Sequence, residues 1–112
     1  MDDYSLFVDY SLSQCLKEDY SNKKKVRQNN QAANKLQKLQ AKMLQGDFEN
    51  TLARLLHHQD ARVQINAAVL CYKANAFTNE AIQILRNIVA NCDDPIVAFN
   101  AEMVLKEHFQ IK

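Results

Sequence analysis

Five sets of residues in this chain have the types from which chemistry is built: His57 with His58, Cys71, Asp93 with Asp94, Ser11 with Ser13, and the run Lys23, Lys24, Lys25 and Arg27. Adjacent histidines on a helix point about 100° apart, so His57 and His58 do not make the i, i+4 pair that chelates one ion. Near a helix end, imidazoles instead sit favourably against the last carbonyls. Cys71 follows Leu70 in an apolar stretch. An activated thiolate needs a cationic neighbour and access, whereas a thiol in a buried stripe behaves as a small hydrophobe. Asp94 precedes Pro95, which marks it as a helix cap, with Asp93 adding charge at the same N-terminus. Ser11 and Ser13 have no evident base and orienting group with which to form a triad. His108 shares a helix side with Val104 and Leu105 and reads as packing. No catalytic residue, cofactor-binding residue or metal ligand is expected, and the chain reads as a binding protein without enzymatic activity.

The elements that position these residues are helical. The chain has 112 residues, 47% of them apolar and 24% charged, an ordinary balance for one domain with its own core. It has one glycine, Gly46, and one proline, Pro95, too few for the turns of a sandwich, a barrel or a doubly wound sheet. A single glycine also excludes the phosphate-cradling GxGxxG and GxxxxGKT loops. Three cysteines, Cys15, Cys71 and Cys92, form no CxxC pair and point to a reducing cytoplasm. The first residues are acidic where a signal peptide is basic, and no apolar run approaches a membrane span, so no membrane partner is expected.

Apolar spacing predicts about six helices. Tyr4, Val8, Leu12, Cys15 and Leu16 mark the first, capped by Asp2 or Asp3. Ser21 or Asn22 opens a second that runs to Gln45, with Val26, Ala33, Leu36, Leu39 and Met43 on one side. Gly46 is expected to stop it in a left-handed conformation, and Asp47 to open the next. Phe48, Leu52, Leu55 and Leu56 mark a short third helix. Asp60 caps a fourth, buried through Val63, Ala67 and Leu70. Thr78 or Asn79 opens a fifth, with Ile82, Leu85, Ile88 and Val89. Asp94 and Pro95 open a sixth, with Val97, Ala101, Val104 and Leu105.

An internal repeat organises the second half. Asp60–Leu70 aligns with Asp94–Val104 at an offset of 34 residues, matching Asp60 with Asp94, Val63 with Val97, Asn66 with Asn100 and Ala67 with Ala101. Ile65 and Phe99 are both large and apolar at equivalent sites, and Leu55 corresponds to Val89. Each unit reads as a helix, a short turn, an aspartate cap and a second helix. A hairpin of this kind cannot bury its apolar stripe alone, so the units stack. The expected fold is all-α: one domain over residues 1–112, with an N-terminal helical pair at 1–46 that caps a short right-handed solenoid of two hairpins at 47–112.

At Leu55-Leu56, Asp60, Arg62-Val63, Ala67-Ala68 and Leu70 the chain resembles HEAT repeats. The stretches Ala33–Leu36, Leu55–Val63 and Val97–Glu107 resemble more closely a small bacterial family known only as domain of unknown function two thousand and nineteen. The resemblance spans most of the chain and implies long N-terminal helices followed by HEAT-like hairpins. It departs from that family at Asn66, where related sequences often carry tryptophan, so the partner surface is expected to differ there. The resemblance implies no catalytic residues. It does imply an immunity role, because such genes accompany those of secreted bacterial toxins.

Two surfaces are candidates for partner binding. One is the outward side of the second helix of each hairpin: Arg62, Asn66 and Lys73 in the first, Asn100, Met103 and Glu107 in the second. The equivalent asparagines serve either as rungs between stacked hairpins or as part of a recognition surface. The other is the basic helix. Residues 1–20 sum to −4 and residues 21–46 to +7, within a net charge of +1. Lys23, Lys24, Lys25 and Arg27 crowd a helix N-terminus, where the dipole disfavours cations. Glu18 and Asp19 are expected to offset them. The alternative is a surface for an acidic protein or for nucleic-acid phosphates, although no stacking aromatic lies between Ser21 and Gln45. The resulting expectation is a cytoplasmic protein that binds a cognate toxin domain. A general scaffold, or a nucleic-acid module using residues 23–42, are the alternatives, and the oligomeric state is left open.

Overall fold

A computed structural model describes residues 2–13 and 23–110, with side chains for 2–12 and 34–110. These residues form six α-helices: α1 (Asp3–Ser13), α2 (Lys23–Leu44), α3 (Glu49–Leu56), α4 (Ala61–Ala74), α5 (Thr78–Asn91) and α6 (Pro95–Glu107). No strand occurs among the described residues. The all-α expectation and the number of helices are both met. The chain divides into two compact units, Met1–Phe48 and Glu49–Lys112.

In the first unit α1 packs against α2. Asp2 opens α1 by accepting the Ser5 N–H at 2.8 Å, which satisfies one of the orphan donors of the first turn. Phe7 and Ser11 are the buried residues of α1, while Val8 is half-buried and Leu12 is exposed. The buried line is thus rotated by about one residue from the predicted one, because the large Phe7 ring claims the interior ahead of Val8 and Leu12. Cys15 and Leu16 lie outside the described residues. On α2, Leu36, Leu39 and Met43 are buried as their spacing predicts, together with Gln40. The side chains of Val26 and Ala33 are outside those described. Lys42 in the last turn of α2 pairs with Asp3 in the first turn of α1 at 3.4 Å. The helix stops one residue before Gln45, through bonds from Gln45 N–H to Lys42 O and Gly46 N–H to Met43 O. Gly46 has no positive φ, so the expected left-handed stop is replaced by this tightened last turn.

In the second unit α3 packs against α4, α4 against α5 and α6, and α5 against α6. Leu52, Leu55 and Leu56 on α3 are fully buried, each contributing about 1.5–3 kcal/mol of transfer free energy. Both predicted aspartate caps form. Asp60 accepts the Arg62 N–H at 2.9 Å. Asp94 accepts the Ile96 N–H at 2.9 Å, with Pro95 at the helix start. Val63, Ala67 and Leu70 are buried on α4, and Val97, Ala101 and Leu105 on α6. The alanines leave room for close approach of the paired helices.

The α4–α5 connection differs from the prediction. Asn75 is left-handed (φ 54°), and Ala76 and Asn75 donate their N–H groups to Cys71 O and Tyr72 O. This is the Schellman closure of a helix, with asparagine where glycine is commoner. Phe77 follows at φ 54° and caps α5 with no side-chain hydrogen bond. α5 does start at Thr78, yet neither Thr78 nor Asn79 is its cap, because the left-handed Phe77 already redirects the chain.

Candidate partner-binding surface

α4 and α6 carry the residues singled out in the second unit. Their caps set the helical phase; α4 buries Ile65, Ala68 and Cys71 besides Val63, Ala67 and Leu70, while α6 buries Val97, Ala101 and Leu105. Asn66 and Asn100 are both half-buried, and Lys73 and Glu107 are both exposed. Asn66 matches Asn100 at the repeat offset, and Lys73 matches Glu107. Each helix therefore presents an asparagine and, seven residues on, an exposed charge of opposite sign between the two helices. Met103 is half-buried beside them on α6.

Arg62 is differently placed. Its guanidinium turns back onto Asp60, with Nε 3.2 Å from Oδ1 and Nη2 3.0 Å from Oδ2. These hydrogen bonds, more than any other influence, hold the Asp60 carboxyl below its ordinary pKa, against a smaller opposing effect of burial. They also raise the pKa of Arg62, to which the charge of Asp94 adds. The two caps are thus electrostatically linked through Arg62.

Lys23, Lys24, Lys25 and Arg27 occupy the first turns of α2, but their side chains lie outside those described, as do Glu18 and Asp19 altogether. The acid–base pairing visible between α1 and α2 is that of Asp3 with Lys42, at the other end of α2.

The structure places the residues weighed for chemistry as follows. Cys71 is fully buried, and burial pushes its thiol up to about 12. His58 Nδ1 accepts the Asp60 N–H at 3.0 Å, so that lone pair is committed to the turn. His57 Nε2 lies 3.9 Å from Glu80 Oε2. Among the described residues no group of three or more His, Cys, Asp or Glu gathers around a point where a metal ion would sit. None of the helices described is long and apolar enough to cross a membrane.

Two features escape the linear sequence. Tyr72 at the end of α4 meets His108 and Phe109 beyond α6, with ring centroids 4.9 and 5.8 Å away. These rings border an open depression shared with Lys73, Asn75 and Thr78. The residues lie more than 30 positions apart, so only the packing of α4 on α6 brings them together. The second feature is exposure at repeat-equivalent sites. Ile65 is 7% exposed and its equivalent Phe99 is 59% exposed; Leu55 is 0% and its equivalent Val89 is 39% exposed.

Compared with family models, with curated proteins and with solved structures, the chain matches none.

Proposed function

We propose that the chain is a non-catalytic protein-binding domain of HEAT-like build that acts as a cytoplasmic immunity protein against a cognate bacterial toxin. The observation that carries this reading is the repeated row on α4 and α6: half-buried Asn66 with Asn100, exposed Lys73 with Glu107, and half-buried Met103 on α6. A row of amides and charges on rigid, capped helices suits a polar, shape-matched interface, in which electrostatic complementarity gives specificity and on-rate. The resemblance to the bacterial family named above supports the immunity role. Inhibition works by covering the toxin's active site or its partner surface, and needs no chemistry from this chain.

The test is a search of the neighbouring genes for a toxin domain, followed by co-expression of that domain with this chain; neighbours that encode no toxin reject the proposal. The wild-type chain is expected to rescue growth and to co-elute with the toxin on gel filtration. Asn66→Asp with Lys73→Glu is expected to weaken the complex while leaving the helical spectrum unchanged. Undiminished killing with no complex rejects the proposal.

A further inference from the structure

α6 carries a second, outward stripe. Ile96, Phe99, Met103 and Lys106 follow one another at i, i+3, i+7 and i+10, on the side opposite Val97, Ala101 and Leu105. Phe99 is the most exposed large apolar residue described, Lys106 is exposed, and Ile96 and Met103 are half-buried. An exposed phenylalanine on a regular helix forgoes the transfer free energy of a large ring. The repeat indicates what kind of object removes such a site from water. At the equivalent position of α4, Ile65 is buried, and α4 packs on α3, α5 and α6, whereas α6 packs chiefly on α5 and α4. Among the described residues, the stripe of α6 thus has the composition of a helix-packing face, without a third packed helix such as α3 supplies to α4.

We propose that this stripe is a self-association surface, occupied by the same stripe of a second copy of the chain in an antiparallel, two-fold arrangement. The stripe is self-complementary in that register. With the axis crossing the stripe at the level of Ala101 along α6, Phe99 meets Met103 of the second copy, an aromatic–thioether contact. Ile96 lies against the methylenes of Lys106 of the second copy. The charges agree as well. Asp93 and Asp94 stand at the N-terminal end of α6, and Lys106 stands near its C-terminal end. Antiparallel pairing brings each Lys106 ammonium to the N-terminal end of α6 of the other copy, where the exposed Asp93 stands in the turn just before the helix. Lys106 Nζ already holds Glu102 at 2.9 Å, and an ammonium has donors left for a second carboxylate. The same surface patch serves both copies, as two-fold symmetry requires. Met103 is shared with the row proposed to bind a toxin, whereas Ile96, Phe99 and Lys106 are not, so the substitutions at Phe99 and Lys106 test self-association separately from the immunity reading.

Sedimentation equilibrium on the full chain tests this. A helix-pair interface is small, so the expected wild-type behaviour is a monomer–dimer equilibrium across about 1–100 µM. Phe99→Glu is expected to be monomeric throughout with an unchanged circular dichroism spectrum; Phe99→Ser is the second variant if glutamate perturbs the helix. Asp93→Lys is expected to weaken the dimer by about tenfold, and Asp93→Lys with Lys106→Glu to restore it. A wild-type chain that stays monomeric, whether another protein then takes the face or nothing does, overturns the proposal. A dimer that persists in both Phe99 variants, or a double charge reversal that fails to restore it, overturns it equally.

Discussion

Asp60 and Arg62 are joined by three hydrogen bonds: the Arg62 N–H and Nε both donate to Asp60 Oδ1, at 2.9 and 3.2 Å, and Nη2 donates to Oδ2 at 3.0 Å. One carboxylate therefore caps α4 and fixes the guanidinium beside it. Asp60→Asn keeps a capping oxygen and loses the ion pair. Because the pair is partly exposed, the loss at pH 7 is expected to be under about 1 kcal/mol. The carboxyl is held below its ordinary pKa in the folded chain. Its contribution is therefore complete above the unfolded value of about 3.9 and fades as pH falls through the lower folded value. Urea titrations of the wild type and Asp60→Asn are expected to converge at the acid end of that window. Asp60→Ala, which also removes the cap, costs about 1 kcal/mol more.

Cys71 is expected to resist thiol reagents in the folded state, since its thiol is pushed up to about 12 by burial. In a Cys15→Ser background, a disulfide reagent at pH 8 should modify the half-buried Cys92 readily, and Cys71 only at the rate of unfolding. Equal and fast labelling of both would contradict the packing of α4.

The repeat-equivalent pair Ile65 and Phe99 should respond very differently to truncation. Ile65→Ala opens a cavity in the core and is expected to cost about 2–4 kcal/mol. Phe99→Ala, measured at concentrations where the chain is monomeric, should change stability by less than about 0.5 kcal/mol. Denaturant midpoints with unchanged slopes check both values.

The helices were legible because their signals are local and redundant. Asp60 and Asp94 announced two helix starts by residue type alone, and the Val-Ala spacing behind each cap fixed the buried side. The reading slipped where one local signal competed with packing. On α1 the predicted line ran through Val8 and Leu12, yet Phe7 occupies the interior. At the α4–α5 turn a hydroxyl or an amide was the expected cap, yet the left-handed Phe77 stands there. The matching of Asn66 with Asn100 was legible from the repeat, and both are half-buried. The commitment of Arg62 to Asp60, and the meeting of Tyr72 with His108, depend on rotamers and on distant residues that no periodicity encodes.

Two backbone positions give opposite predictions. Gly46 needs no left-handed φ, and a methyl group added there meets nothing within 4 Å. Gly46→Ala is therefore expected to stabilise the chain by about 0.4–1 kcal/mol, by reducing the freedom of the unfolded state. Asn75 does adopt the left-handed region. Asn75→Gly should stabilise by a few tenths of a kcal/mol, and Asn75→Ala should destabilise by about 1 kcal/mol. Thermal melts of the three variants check the signs.

In the second unit each helix from α3 to α6 lies against the next in the chain, and the main contact that skips a neighbour is α4–α6. Contacts of this kind close short loops, so little chain entropy is spent before they form. Acquisition of the native state is then expected in microseconds to milliseconds, the regime of low contact order. Such a chain gathers its core soon after release from the ribosome, with little time as an aggregation-prone intermediate.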